Sequence, residues 1–153
     1  MNHTARAHAT EVTVERNLVR SGFVLVLLSL LTGLLLPVLT NPRLGLSAHL
    51  AGLMSGTLLA LVGVIAGTLT LGERGMRLLT WSWVYAGYSN WVAGLLGAAF
   101  GASKLTPIAG AGTAGTPLQE VVVYALLITV VLSSLVAVCT VLWGLRRQRG
   151  PVA

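Results

Sequence analysis

Residues 47–71 read SAHLAGLMSGTLLALVGVIAGTLTL, a run without Asp, Glu, Lys or Arg and with one histidine, His49, near its start. At 1.5 Å per residue a helix of this length reaches about 38 Å, more than the roughly 30 Å of a hydrocarbon core, so the run predicts a membrane-spanning helix. Three further stretches have the same character, and spans are expected at 21–39, 47–71, 76–101 and 118–145. With 55% hydrophobic and only 9% charged residues and a mean hydropathy of +0.84, the chain has too little polar surface for a soluble globule. The expected fold is an all-α integral membrane protein, a four-transmembrane-helix bundle at 21–145. An N-terminal segment (1–20) precedes it and a basic tail (146–153) follows.

The net charge of +6 is distributed as a topology signal rather than as a nucleic-acid surface. Arg6, Arg16, Arg20, Arg74, Arg77, Arg146, Arg147 and Arg149 fall on one side of the four spans, and only Arg43 and Lys104 on the other. The positive-inside rule then puts both termini and the 72–75 turn in the cytoplasm, with the loops 40–46 and 102–117 outside. The first span is not expected to be a cleaved signal sequence, because no small-x-small site follows it. Residues 1–13 show no apolar periodicity and are expected to fray, with His3 and His8 solvated. Cys139, the single cysteine, is expected to be a buried inert thiol.

A histidine at membrane depth points to function, because an imidazole without a partner is costly to desolvate. His49 shares a stripe with Gly52 and Gly56, a G-x-x-x-G pair that lets another backbone approach closely. In the third span Gly87, Asn90, Gly94, Gly97 and Gly101 recur on one helical face, a flat wall for a neighbouring helix or a flat ligand. Ser55 lies about 9 Å deeper than His49, and Asn90 about 16 Å below the outer end of its span. Thr116 and Pro117 start the last helix as N-cap and first residue, with Glu120 in the first turn. Glu120 serves there either the helix dipole or a site. The polar groups thus gather in the outer half, and charges for a proton-coupled carrier are missing from the inner half.

As a catalytic set these side chains are poor. No Ser-His-Asp arrangement, activated cysteine or paired intramembrane carboxylates can be drawn from them. A cofactor held by His49 would supply what is missing, and haem with one axial histidine suits an apolar, glycine-lined slot. The alternative is a hydrogen-bonded structural histidine.

The stretches NPRLGLSAHLAGLMSG (41–56), YAGYSNW (85–91) and TPIAGAGTAGTPLQE (106–120) resemble the hydroxylaminobenzene mutase family, distantly related to styrene oxide isomerase. The resemblance covers the chain from about Arg20 to Arg146. It implies a small four-helix protein of the inner (plasma) membrane, assembled as a homo-trimer, with haem b bound through His49 and ferric iron as a Lewis acid. It implies conversion of an arylhydroxylamine to a 2-aminophenol. Asn90, Tyr88, Glu120 and Ser55 become candidate catalytic residues, and Gly52, Gly87 and Gly94 candidate walls of the cofactor site. Two positions depart from the family pattern: Ser55 stands where an asparagine is usual in both the mutase and the epoxide-isomerase branch, and Gly94 where the epoxide-isomerase branch has a tyrosine. Loss of the phenol favours the mutase over epoxide isomerisation. Other readings are a haem electron-transfer subunit, which expects a second axial ligand, and a small transporter or structural protein, which expects no turnover.

Overall fold

Asn41 and Pro42 start the second long helix five residues before the apolar run begins. The computed structural model describes residues 3–146, with side chains from residue 14 onward. It contains α1 (His3–Leu35), α2 (Pro42–Ile65), α3 (Glu73–Phe100), the one-turn helix α4 (Pro107–Gly110) and α5 (Pro117–Gly144), with no strand among the described residues. The Asn41 side chain accepts from the Leu44 amide at 3.0 Å, and Pro42 occupies the first turn, where its missing N–H costs nothing. The expected outer loop 40–46 therefore shrinks to a short link. Thr116 caps α5 as expected, in a reciprocal box with Gln119. Helix α1 is already regular at His3, where a frayed segment was expected. The side chains of His3 and His8, and the basic residues beyond Arg146, lie outside the described residues.

Glycines decide how closely α1 and α2 pack. A Cβ on Gly22 would come within 2.5 Å of the Gly56 carbonyl oxygen, and one on Gly56 within 2.9 Å of the Val26 amide nitrogen. Helix α3 packs on α2 through Gly94, whose Cβ would lie 2.9 Å from that of Ala48. Helix α5 lies on α3, linked by the Ser133 hydroxyl to the Ser82 carbonyl at 2.9 Å and by the Tyr85 hydroxyl to Thr129 at 2.8 Å.

The four-helix bundle expected from the sequence does not close. Helices α1, α2 and α3 pack on one another, α5 lies against α3, and α5 makes no extensive contact with α1 or α2. Large apolar side chains stay exposed along the outer faces, Leu34 (77%), Met54 (67%) and Val131 (56%) among them. An exposed apolar surface of this extent fits a lipid environment. Three segments are long and apolar enough to cross a membrane: Val14–Val38, Pro42–Thr68 and Pro117–Gly144. The first takes in Arg16 and Arg20, which the sequence reading left outside the span. Helix α3 matches α5 in length but begins with Glu73, Arg74 and Arg77 and carries Ser, Asn and Gly where the others carry Leu and Val. Its position between α2 and α5 shields those polar residues. Cys139, expected to be buried, is exposed on α5.

Candidate active site

His49 is positioned by the α1–α2 seam. Its Nδ1 lies 2.7 Å from the carbonyl oxygen of Ser29, while the Ser29 hydroxyl donates to the carbonyl of His49. A carbonyl oxygen only accepts, so in the neutral ring Nδ1 carries the proton and Nε2 keeps its lone pair. The ring fits because position 33 is glycine: a Cβ there would stand 2.9 Å from Nδ1. Trp91 of α3 reaches the same seam, its indole N–H donating to the Thr32 hydroxyl at 3.0 Å. Ser29 and Thr32 are buried in α1, and neither was singled out from the sequence.

The end of the helices at Asn41 and Thr116 is closed by the chain between α3 and α5. Glu120, 7% exposed, accepts from the backbone amides of Ser103 and Lys104, each at 3.1 Å, and of Gly115 at 2.9 Å. Asn41 holds the same loop from α2: its amide nitrogen donates at 2.8 Å to both the Gly110 carbonyl and the Thr113 hydroxyl. Both shoulders of the loop are thereby fixed over the helix ends.

Beneath this cap a cavity of about 170 Å³ opens between α2, α3 and α5. Ala48 and Ala51 wall it from α2, Asn90, Gly94 and Gly97 from α3, and Val123 from α5. Asn90 is half-buried, and its carboxamide has no hydrogen-bond partner among the described residues. Apolar cavities of about 150 Å³ accept a benzene ring, so the size suits one aromatic ring with a small polar substituent. Small side chains make the space, and one amide gives it a direction.

The sequence-derived site divides on this frame. Asn90 and Gly94 both line the cavity, and Gly94 also carries the close contact of α3 with Ala48 of α2. His49 is not part of its lining, because helical rotation turns it roughly 100° from Ala48 and 160° from Ala51, towards α1. Tyr88 points the other way, its hydroxyl donating to the Ser21 carbonyl at 2.9 Å beside the core of Leu18, Leu59 and Leu79. Gly52 is closed by Ser29 and Trp91, and Gly87 by Leu25, so neither leaves a slot for a flat cofactor within one chain. Ser55 packs against Gly87, one turn below the cavity. Glu120, a candidate catalytic residue by resemblance, has its carboxylate committed to three loop amides.

Residues 14–146 match the styrene oxide isomerase family. The chain belongs to that family. It is similar to hydroxylaminobenzene mutase HabB of Ectopseudomonas oleovorans, 41% identical over 144 residues that cover 94% of this chain and 88% of the relative. It is also similar to hydroxylaminobenzene mutase HabA of the same organism, 41% identical over 128 residues, 83% of this chain and 95% of the relative. No solved structure matches it. Membership in the styrene oxide isomerase family, with mutases as relatives, makes the chain an isomerase. The apolar helices make it a membrane protein.

The described residues contain no group of three or more His, Cys, Asp or Glu able to hold a bare metal ion. Within one described chain, a metal on His49 has no such set of side-chain ligands around it. The His49 ring, with Nδ1 fixed by Ser29 and no hydrogen bond at Nε2 among the described residues, has the ligand atom that would hold a haem, although one chain leaves no slot for the macrocycle beside Gly52 or Gly87.

Proposed function

We propose that this member of the styrene oxide isomerase family rearranges arylhydroxylamines, hydroxylaminobenzene among them, to 2-aminophenols in the inner (plasma) membrane. One observation carries the reading: a ring-sized cavity between α2, α3 and α5 whose free polar groups are the Asn90 carboxamide and, at its mouth, the Thr106 hydroxyl. The named mutase relatives supply the reaction class. Epoxide isomerisation has the family's name in its favour, but the cavity wall at Gly94 offers no phenol, and the mutase reaction is preferred.

The rearrangement is redox-neutral. The N–O bond breaks, a C–O bond forms at the ring carbon ortho to nitrogen, that carbon loses its proton, and nitrogen gains one. Substrate and product are isomers, so no reductant enters. Asn90 is assigned to hold the hydroxylamine, its amide N–H donating to oxygen and its carbonyl accepting from N–H. The walls from Ala48, Gly94 and Val123 hold the ring and keep bulk water from capturing it. Haem b on Nε2 of His49 would supply Lewis acidity toward the N–O oxygen. The backbone of Ser29 orients the imidazole for that task.

His49 and Asn90 face different sides of α2, so a centre that uses both draws them from two copies. We therefore assign a homo-oligomer, a trimer by resemblance. In the membrane α3 forms the fourth crossing between α2 and α5, with both termini cytoplasmic according to the arginine distribution. The test is the absorbance spectrum of detergent-purified protein before and after addition of hydroxylaminobenzene. A Soret band that shifts with substrate and disappears in His49→Ala is expected. A colourless protein that still forms 2-aminophenol would sink the haem assignment.

A further inference from the structure

The Asn90 cavity has two neighbours. A hollow of about 510 Å³ on the Arg43 side shares Ser47, Thr106 and Ala109 with it. A second, of about 260 Å³ beside α5, shares Ala102, Thr106 and Val123. The shared residues differ in burial. Ala102 and Val123 are 1% and 6% exposed and form a closed partition, whereas Ser47 is exposed and Thr106 and Ala109 are half-buried. The cavity is therefore walled towards α5 and open towards Arg43.

The loop ties fall on either side of that opening. Glu120 holds the amides of Ser103, Lys104 and Gly115, and Asn41 holds the carbonyl of Gly110. The intervening residues 105–109 are held by their own turn, through the Thr106 amide to Ser103 and the Gly110 amide to Thr106. Thr106 precedes α4 without a side-chain capping bond, so its hydroxyl is not spent on the fold. Leu105 and Ile108 stand exposed on the rim, Ile108 at 90%. An aromatic molecule concentrated at the membrane surface meets apolar side chains there first.

We propose that the aromatic substrate enters from the Arg43 side, between Ser47 and the 105–109 turn, and that Thr106 and Ala109 form the threshold that admits one ring and rejects two fused rings. This rests on the arylhydroxylamine reading. The threshold leads directly to a space of about 170 Å³, a little larger than the roughly 150 Å³ that holds a benzene ring, so a second fused ring would have to stand in the threshold beside Thr106 and Ala109. Thr106 is a specificity residue by position, since it borders all three spaces.

The experiment measures kcat and KM of the isolated enzyme for hydroxylaminobenzene and for 2-hydroxylaminonaphthalene. Wild-type protein that converts neither contradicts the arylhydroxylamine reading itself, before any variant is made. Given turnover, Thr106→Phe and Ala109→Phe are expected to lower kcat/KM for hydroxylaminobenzene about tenfold or more, mainly through KM. Val121→Phe, which lines only the α5-side hollow, is expected to remain within about twofold. Thr106→Ala is expected to raise the two-ring over one-ring preference about fivefold or more. Phenylalanine variants that behave as wild type, or a Val121→Phe defect larger than theirs, overturn the route. Should the phenylalanine variants not accumulate, Thr106→Ala and Ala109→Gly decide, and an unchanged ratio between the substrates overturns the proposal.

Discussion

The cap held by Glu120 and the cavity walled by Asn90 lie side by side, share Ala102 and Thr106, and treat polar groups in opposite ways. In the cap every strong acceptor is spent: Glu120 takes three backbone amides, and Asn41 caps a helix while it holds two points of the loop. In the cavity the Asn90 carboxamide is left over, with the Thr106 hydroxyl at its mouth. A polar group at membrane depth costs free energy when unpaired, so a free one is retained where a ligand completes it. The two residues carry equal standing as sequence candidates; their partners separate them.

Substitutions on the two sides should therefore fail differently. Glu120→Ala leaves three amides without their acceptor, and the greatest fall in thermal midpoint of the set is expected, with activity lost alongside the fold; Glu120→Gln, which keeps an acceptor, should fall between. A Glu120→Ala protein as stable as wild type but inactive would return the residue to the chemistry. His49→Ala should abolish the Soret band and lower kcat/KM at least about 100-fold, about 2.7 kcal/mol of transition-state stabilisation, with little change in helix content by circular dichroism. Asn90→Ala should reduce kcat about ten- to a hundredfold while thermal stability stays within about 0.5 kcal/mol of wild type. A destabilised but fully active Asn90→Ala would place the residue with the cap instead. Tyr88→Phe removes one hydrogen bond to the Ser21 carbonyl, so a loss of about 0.5–1.5 kcal/mol in stability with unchanged kcat is expected.

The helices were legible because apolar runs of bilayer length have few other uses. The glycine stripes were legible as close contacts but not as to their partners: Gly52 and Gly56 gave a seam, and only packing shows that Gly22, Ser29 and Trp91 fill it. Leu18, Gly22, Leu25, Ser29 and Thr32 recur at spacings of four and three, a stripe visible in the sequence that marks the face α1 turns to its neighbours. Asn41 was hidden for a different reason. A cap residue before proline reads as an ordinary loop until its side chain is seen to join two loops across 69 and 72 positions. Glu120 stayed open between two roles because the first turn of a helix satisfies the dipole and the loop amides equally well from sequence. Helix rotation separates His49 from Asn90, a distinction that depth along the helices cannot make.

The central claim is that a protein with Asn90 in a ring-sized cavity and haem on His49 rearranges an arylhydroxylamine without external electrons. Its most direct test is anaerobic incubation of the purified protein with hydroxylaminobenzene, without reductant, followed by chromatography of the products. The account predicts stoichiometric 2-aminophenol from wild-type protein and a rate at least about tenfold lower from Asn90→Ala. Unchanged hydroxylaminobenzene, or the same product mixture as a protein-free control, would contradict it.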